Sequence, residues 1–199
     1  MEITSEMVKN LRQRTGAGIM DCRHALQETE GDVEKAIDSL RSKGLAAAAK
    51  KMGRKANSGL IEAYIHHDGR LGVLVELNCE TDFVARTDEF KVLAREICIQ
   101  IAAESPLYTC REEVPAEIVA KEKAIYCEQV SAEGKPENVA DKIVESKLEN
   151  FYKTNCLTES LYVRDPSKTI ENLVTEMIAK VGENVRIRRF ARFKLGEEL

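Results

Sequence analysis

Aromatic residues and long apolar runs are scarce in this sequence. It has no tryptophan, and phenylalanine and tyrosine make up 5% of its 199 residues. No apolar run approaches the roughly 20 residues that a membrane-spanning helix needs. The start, MEITSE, lacks the basic-then-apolar order of a secretory signal. We expect a soluble protein of the bacterial cytoplasm, or of an organelle matrix after loss of a leader, with no membrane partner.

Motifs of catalysis and cofactor binding are also missing. The sequence has no phosphate-binding loop, no dinucleotide-binding glycine pattern and no nucleophile elbow. Three histidines are too few to single out one as a general base, and nothing in the sequence brings two carboxylates together. We expect a binding protein that is not an enzyme, with no catalytic residue and no cofactor.

The cysteines indicate neither disulfides nor a metal site. Six cysteines are scattered one to a segment without a Cys-x-x-Cys pair, which is typical of buried thiols in a reducing compartment. No ligand pair has the spacing that zinc would need together with His66 and His67. The six are Cys22, Cys79, Cys98, Cys110, Cys127 and Cys156.

Charges are abundant but nearly balanced, with a net charge of −4. We therefore expect no direct nucleic-acid partner for the protein as a whole. A local exception is the stretch 41–58, which holds six basic residues and no acidic one. It can be a solvated linker helix, or a basic patch that touches RNA or an acidic protein surface.

Residues 4–43 have the pattern of three short helices. Thr4 or Ser5 can cap the first, and a glycine-containing break precedes a second over about 19–29. In the third, apolar residues recur at helical spacing, at Val33, Ala36, Ile37 and Leu40. Three helices of this length enclose a small core, which suits binding better than catalysis.

An antiparallel sheet is predicted next. Alternating strands over 60–66 and 71–77 are joined by Asp68-Gly69, the preferred pair for a tight turn. A strand over 185–195 is expected to complete three strands. Its apolar face is expected to hold Val185, Ile187, Ala191, Phe193 and Leu195, interrupted by Arg189. The opposite face is expected to hold Phe190 and the basic residues Arg186, Arg188, Arg192 and Lys194. Helices packed on this sheet make the fold class α+β.

Four further helices are predicted, over about 88–104, 115–133, 137–153 and 168–180. The middle two form a protruding helical hairpin, at about 112–153, divided by Gly134 and Pro136. Ser167 is expected to cap the last helix. The predicted organisation is a three-helix domain, a basic linker and an α+β core domain, over residues 1–43, 44–58 and 59–199.

The junction after the second strand has an unusual pattern. The apolar alternation stops at Asn78, an acidic segment follows, and the aromatic Phe83 stands just beyond it. Exposed aromatics at such junctions anchor partner proteins. The alternative is that Thr81 caps a helix, Asp82 complements its dipole and Phe83 enters the core. The residues alone leave both interpretations open.

Two segments are long and specific enough to indicate a family. They are LRQRTGAGIMDCRHAL at 11–26 and ELNCETDFVA at 76–85. IHHDGR at 65–70 and KVGENVRIRR at 180–189 add to them. Together these motifs resemble translation elongation factor Ts, the guanine nucleotide exchange factor of elongation factor Tu. Ile19 stands where methionine is frequent in that family.

The resemblance implies how such a chain would act. It would bind GDP-loaded elongation factor Tu, disturb the Mg²⁺ site and release GDP so that GTP can bind. The segment expected at the Mg²⁺ site is Thr81, Asp82, Phe83 and Val84. Phe83 is expected to be the wedge, while Asp82 supplies polar contacts to the partner's displaced helix.

The resemblance also implies contacts away from that segment. The N-terminal domain, similar to ubiquitin-associated domains, is expected to grip one helix of the GTPase. Its matching positions are Lys9, Arg12, Ile19 and Met20. His66 and His67 are expected to face another domain of the partner, and Val181 and Gly182 to lie near the wedge.

Long family members carry two copies of the sheet unit, whereas this chain has room for one. A two-fold homodimer through the strand 185–195 and the sheet face would restore the missing contacts. Two other functions stay open: an adaptor that binds protein helices through residues 1–43 without nucleotide exchange, and an RNA-binding protein that uses 41–55 and the arginines of 186–192.

Overall fold

Three helices open the chain and enclose a small core, as predicted. They are α1 (Ser5–Thr15), α2 (Ile19–Glu28) and α3 (Val33–Ala49). The computed structural model describes residues 3–132 and 137–197. Thr4 caps α1 and Asp32 caps α3, because each side chain accepts a hydrogen bond from a first-turn amide. The residues buried between the helices are Val8, Leu11, Cys22, Ala25, Leu26 and Ala36.

α3 is longer than predicted, because its alanine-rich second half continues the helix beyond residue 43. This half packs on α8 (Ile170–Val181), and a Cβ added to Gly44 would lie 3.1 Å from the Cβ of Ala179. Ala48 is fully buried in the core of the sheet. A continuous helix thus joins the N-terminal helices to the sheet, while the division into three-helix domain, linker and core domain stays a prediction.

An antiparallel three-stranded sheet forms the centre of the larger core. Its strands are β1 (Ser58–Ile65), β2 (Leu71–Cys79) and β5 (Val185–Lys194), in the order β1-β2-β5. The Asp68-Gly69 turn joins β1 to β2 as predicted, with Gly69 at a φ of 69°. α5 (Asp88–Glu104) packs on β1 and β2. Its buried residues include the predicted Phe90, Leu93, Ala94, Ile97 and Ile101.

A bulge in β5 changes which of its side chains face the core. The register between β2 and β5 shifts at Arg188, just after Ile187, so each side chain from Arg189 to Lys194 lies on the opposite face from the one expected. Phe190 and Arg192 fall on the core side, and Ala191 and Phe193 on the outer side. The prediction of a single apolar face along this strand was therefore wrong.

An antiparallel pair of helices follows α5, as predicted. They are α6 (Ala116–Ala132) and α7 (Glu137–Asn155), which pack mainly on each other. The predicted break at Gly134 and Pro136 lies outside the described residues. Arg111 binds the base of the pair, since its guanidinium donates to the carboxylates of Glu149 on α7 and Glu159 beyond it.

α8 begins later than predicted, because a short hairpin precedes it. In that hairpin β3 (Leu161–Tyr162) pairs with β4 (Asp165–Thr169). Thr169 caps α8 and forms a capping box with Asn172. The predicted cap at Ser167 was wrong, because that residue lies within β4 and Thr169 occupies the cap position.

Candidate partner-binding site

The junction after β2 forms a single helical turn with an exposed aromatic. α4 (Asp82–Ala85) follows Thr81, whose backbone is extended as in an N-cap. Phe83 leaves 81% of its surface exposed, while Val84 and Ala85 are buried in the core of the sheet. The alternative that Phe83 enters the core was therefore wrong. Residues 81–85 are called the Phe83 turn below.

Hydrogen bonds fix the chain on both sides of the Phe83 turn. Thr87 caps α5 directly after it, accepting from the amide of Phe90 at 3.3 Å. On the other side the Cys79 thiol donates to the carbonyl of Thr81 at 3.0 Å. Burial raises the pKa of the Cys79 thiol to about 11, so at neutral pH it keeps the proton that it donates.

Asp82 carries an exposed carboxylate next to Phe83. Its oxygen lies 2.8 Å from the guanidinium of Arg86, one helical turn later, and both side chains are exposed. Exposed pairs of this kind contribute about 0–1 kcal/mol. The carboxylate of Asp82 can therefore exchange Arg86 for a donor on a partner at small cost.

Glu183 binds the start of the Phe83 turn from another part of the chain. Its carboxylate accepts from the Thr81 amide at 3.0 Å and from the Thr81 hydroxyl at 2.7 Å. Glu183 follows Gly182, which ends α8 at a φ of 77°. Val181 and Gly182 therefore lie beside the Phe83 turn, while the Thr81 hydroxyl is already engaged within the chain.

The predicted N-terminal residues are all accessible. Ile19 and Met20, at the start of α2, are 55% and 58% exposed. Lys9 and Arg12 are exposed on α1. Ile19 and Met20 are adjacent exposed apolar side chains, and Lys9 and Arg12 are cations on the neighbouring helix. Such a surface is suited to the apolar face of a partner helix.

Lys180 connects these N-terminal helices with the region of the Phe83 turn. Its aliphatic chain lies beside the turn at Gly16, where an added Cβ would be 3.5 Å from the Cε of Lys180. Its ammonium lies 3.3 Å from Glu89 in the first turn of α5. A backbone hydrogen bond and this ammonium hold the pKa of Glu89 below its ordinary value. Both candidate contact regions are thus attached to the same end of α8.

His66 and His67 lie at the opposite end of the sheet. The His66 Nδ1 is 2.9 Å from the hydroxyl of Tyr64, and the rings of His66 and His67 are 4.3 Å apart. β2 has nine residues between this tip and the Phe83 turn, which corresponds to about 27 Å. The histidines and Phe83 therefore cannot contact the same small feature of a partner.

The face of the sheet away from the helices carries exposed apolar side chains beside the ion pair of Glu76 and Arg189. Its large exposed apolar residues are Ile61 and Ile65 on β1, Leu74 on β2 and Phe193 on β5, each with 45% to 69% of its surface exposed. We call these four the outer sheet face. Leu195, just beyond β5, is also exposed.

Within residues 3–132 and 137–197, no group of three or more histidine, cysteine, aspartate or glutamate side chains is placed to hold a metal ion. No helix in these two ranges is long and apolar enough to cross a membrane.

The sequence as a whole matches the family model described as Elongation factor TS, over residues 6–197. The chain belongs to the elongation factor Ts family. It is 64% identical over 195 residues to Elongation factor Ts of Caldanaerobacter subterraneus subsp. tengcongensis, covering 98% of both chains. Elongation factor Ts of Coprothermobacter proteolyticus is 59% identical and that of Fervidobacterium nodosum 57%, each over 197 residues, 99% of this chain and 100% of the relative.

These relatives have nearly the same length as this chain, so its single sheet unit fits an elongation factor Ts of their size. The family match also extends through the Phe83 turn and α8, and is not confined to the N-terminal helices. An adaptor that needs only the first three helices is therefore not favoured.

Sequence reasoning missed one residue of this elongation factor Ts site. Glu183 stands between Gly182 and Asn184 in the KVGENV motif, whose first part was noted for Val181 and Gly182. Its contact with Thr81 spans 102 residues, and no periodic pattern reports such a pair. The sequence offered one hint, because Glu183 directly follows Gly182, the glycine that ends α8.

Proposed function

We propose that the Phe83 turn is the part of this chain that releases GDP from elongation factor Tu. Nucleotide exchange on elongation factor Tu is the function that membership of the elongation factor Ts family assigns to the chain. The observation that carries the proposal is the 81% exposure of Phe83 on a turn whose next two residues are buried. Aromatic side chains presented in this way are frequent anchors of protein interfaces.

The mechanism is thermodynamic linkage. If the partner's GDP-bound and factor-bound conformations compete, each ligand weakens the binding of the other by the same factor. Phe83 would enter beside the Mg²⁺ site of the partner and displace one of its helices, and Asp82 would leave Arg86 to bind that helix. Losing Mg²⁺ removes the charge that balances the diphosphate, so GDP leaves.

No covalent bond is made or broken in this process. The chain itself needs no acid–base residue, cofactor or metal ion, and the Mg²⁺ belongs to the partner. We therefore assign it no enzymatic activity of its own. The bacterial cytoplasm is the compartment that we propose for this function.

The remaining predicted residues hold the partner in place. Ile19 and Met20 would bind one helix of the GTPase, with Lys9 and Arg12 at the border of that contact, in the manner of a ubiquitin-associated domain. Their exposure supports this assignment. His66 and His67, at the far end of the sheet, would contact a different domain of elongation factor Tu, while Val181 and Gly182 would lie against the GTPase beside Phe83.

A second copy of the chain is the proposed occupant of the outer sheet face. Exposed apolar side chains from all three strands form this face, and the ion pair between Glu76 and Arg189 crosses it at 2.7 Å. A two-fold axis uses the same surface of both copies, so the apolar side chains of one copy would pack against those of the other. Two sheets packed in this way would give each partner contacts from both protomers.

Stopped-flow fluorescence tests the exchange function. Elongation factor Tu loaded with a fluorescent GDP is mixed with the chain and excess GTP, and the release rate is followed. We expect acceleration by orders of magnitude with the wild type and a loss of most of it with Phe83→Ala. The matched control is Leu107→Ala, which truncates a side chain that is 67% exposed but lies outside the Phe83 turn.

Full activity of Phe83→Ala would contradict the role of Phe83. Binding without any acceleration, in the wild type as well, would contradict the exchange function and favour an adaptor.

A further inference from the structure

Two dipeptides, Glu80-Thr81 and Glu183-Asn184, are far apart in the sequence but exchange hydrogen bonds at the start of the Phe83 turn. The carboxylate of Glu183 accepts from both the amide and the hydroxyl of Thr81. In return, the carboxylate of Glu80 accepts from the amide of Asn184 at 2.6 Å. Each acidic side chain thus binds the backbone of the opposite dipeptide. Hydrogen bonds to a charged acceptor are about twice as strong as neutral ones.

Asn184 extends this arrangement to a third segment of the chain. Its side-chain amide donates to the carbonyls of Met52, at 3.1 Å, and Arg54, at 2.7 Å. Asn184 is only 2% exposed, so water does not replace these bonds easily. Arg54 also lies 3.7 Å from Glu80. The chain after α3, the end of β2 and the end of α8 therefore meet at one point.

We infer that Glu183 is a positioning residue for nucleotide exchange, which it promotes by bracing the Phe83 turn through Thr81. This inference rests on the proposed function of Phe83. A helix of four residues is not stable by itself, so α4 depends on the burial of Val84 and Ala85 and on the contacts at its ends. Glu183 supplies the strongest contact at the first end, while the Cys79 thiol supplies a weaker one.

The Phe83 turn has to be held rigidly because, in the proposed mechanism, it changes the conformation of elongation factor Tu. A bound protein shifts a partner's equilibrium only by the difference between its affinities for the two states. A loose turn would lose part of that difference, because the turn itself would have to become ordered during binding. Loss of Glu183 should therefore reduce the maximal release rate more than it reduces partner binding.

Glu183→Ala and Glu183→Gln separate this role from a general effect on folding. The alanine variant removes both contacts to Thr81. The glutamine variant keeps an oxygen that accepts from the Thr81 amide and an amide that donates to the Thr81 hydroxyl, so it should restore most of the function. Glu176→Ala is the matched control, because it removes an α8 carboxylate that binds Lys168 and does not touch the Phe83 turn.

The first measurement needs no partner. Hydrogen exchange of backbone amides in the free chain reports how firmly residues 81–86 are held. We expect faster amide exchange in this segment for Glu183→Ala, near wild-type exchange for Glu183→Gln and no change for Glu176→Ala. Unchanged protection of the segment in Glu183→Ala would overturn the inference whatever the nucleotide data show.

The second measurement is GDP release as a function of the concentration of the chain. Glu183→Ala should lower the maximal rate roughly tenfold or more, the size expected for losing charge-assisted hydrogen bonds, with a smaller change in half-saturating concentration. Combining it with Thr81→Val should add little, because the hydroxyl contact that valine removes is already lost in Glu183→Ala. A loosened turn with an unchanged maximal rate would overturn the positioning role. A wild-type chain that released no GDP would instead overturn the exchange function itself.

Discussion

Two phenylalanines seven residues apart have opposite environments. Phe83 is 81% exposed on the Phe83 turn, whereas Phe90 is fully buried in the first turn of α5. The difference comes from which face of its helix each side chain occupies. Phe90 shares the buried face of α5 with Leu93 and Ala94, whereas the buried positions of α4 are those of Val84 and Ala85. Identical side chains in neighbouring helices therefore differ in what they can do: Phe90 supports stability, while we propose that Phe83 contacts a partner.

Phe90→Ala should have the largest effect on stability. Truncating a fully buried phenylalanine removes apolar contacts and leaves a cavity, which costs about 3–5 kcal/mol. That is a large share of the roughly 5–15 kcal/mol that a domain of ordinary stability has. Denaturant unfolding followed by circular dichroism should show a clear drop in the midpoint.

The matched variant is Phe83→Ala, measured in the same way. Because its side chain is mostly exposed, the free energy of unfolding should change by less than about 0.5 kcal/mol. A loss of several kcal/mol would mean that Phe83 supports the fold, and the contrast between the two residues would no longer hold.

A third phenylalanine sharpens the comparison. Phe193 is 60% exposed, but it belongs to a broad apolar face and not to an isolated turn. Phe193→Glu places a charge on each copy at the proposed interface, which like-charge repulsion and lost burial should disfavour. Light scattering at working concentration should show a dimer mass for the wild type and a monomer mass for the variant.

A wild-type chain that is monomeric in the same measurement would contradict the proposed homodimer. Val92→Glu is the matched control, because this residue is also 60% exposed but lies on α5, away from the outer sheet face. It should keep the dimer mass.

The sequence predicted which helices and strands form better than it predicted where a strand bulges or which residue caps a helix. The strands β1 and β2 and the helix α5 were predictable because periodicity and the Asp68-Gly69 turn report local structure directly. The bulge after Ile187 was not, since the odd-numbered apolar pattern resumes at Ala191 and Phe193 after the interruption at Arg189. Thr169 and Ser167 are both good cap residues, and only the pairing of β4 distinguishes them.

The candidate site likewise could be predicted from local sequence only in part. The local pattern left open whether Phe83 is buried, and only the resemblance of the longer motif favoured exposure. Accessible positions such as Ile19 and Met20 could be named in advance because they lie within a recognised motif. The contact between Thr81 and Glu183 could not, because it depends on how distant segments pack.

The smallest expected effect concerns Arg86, which pairs with Asp82 in the free chain. Arg86→Ala should change the free energy of unfolding by less than about 1 kcal/mol, because an exposed ion pair contributes little. In the proposed mechanism Asp82 leaves Arg86 to bind the partner, so the variant avoids that cost and should release GDP at the wild-type rate or up to about fivefold faster. The difference should shrink at high salt, which screens the pair in the wild type. A tenfold slower release would show instead that Arg86 itself contacts the partner, and that both members of the ion pair take part in binding.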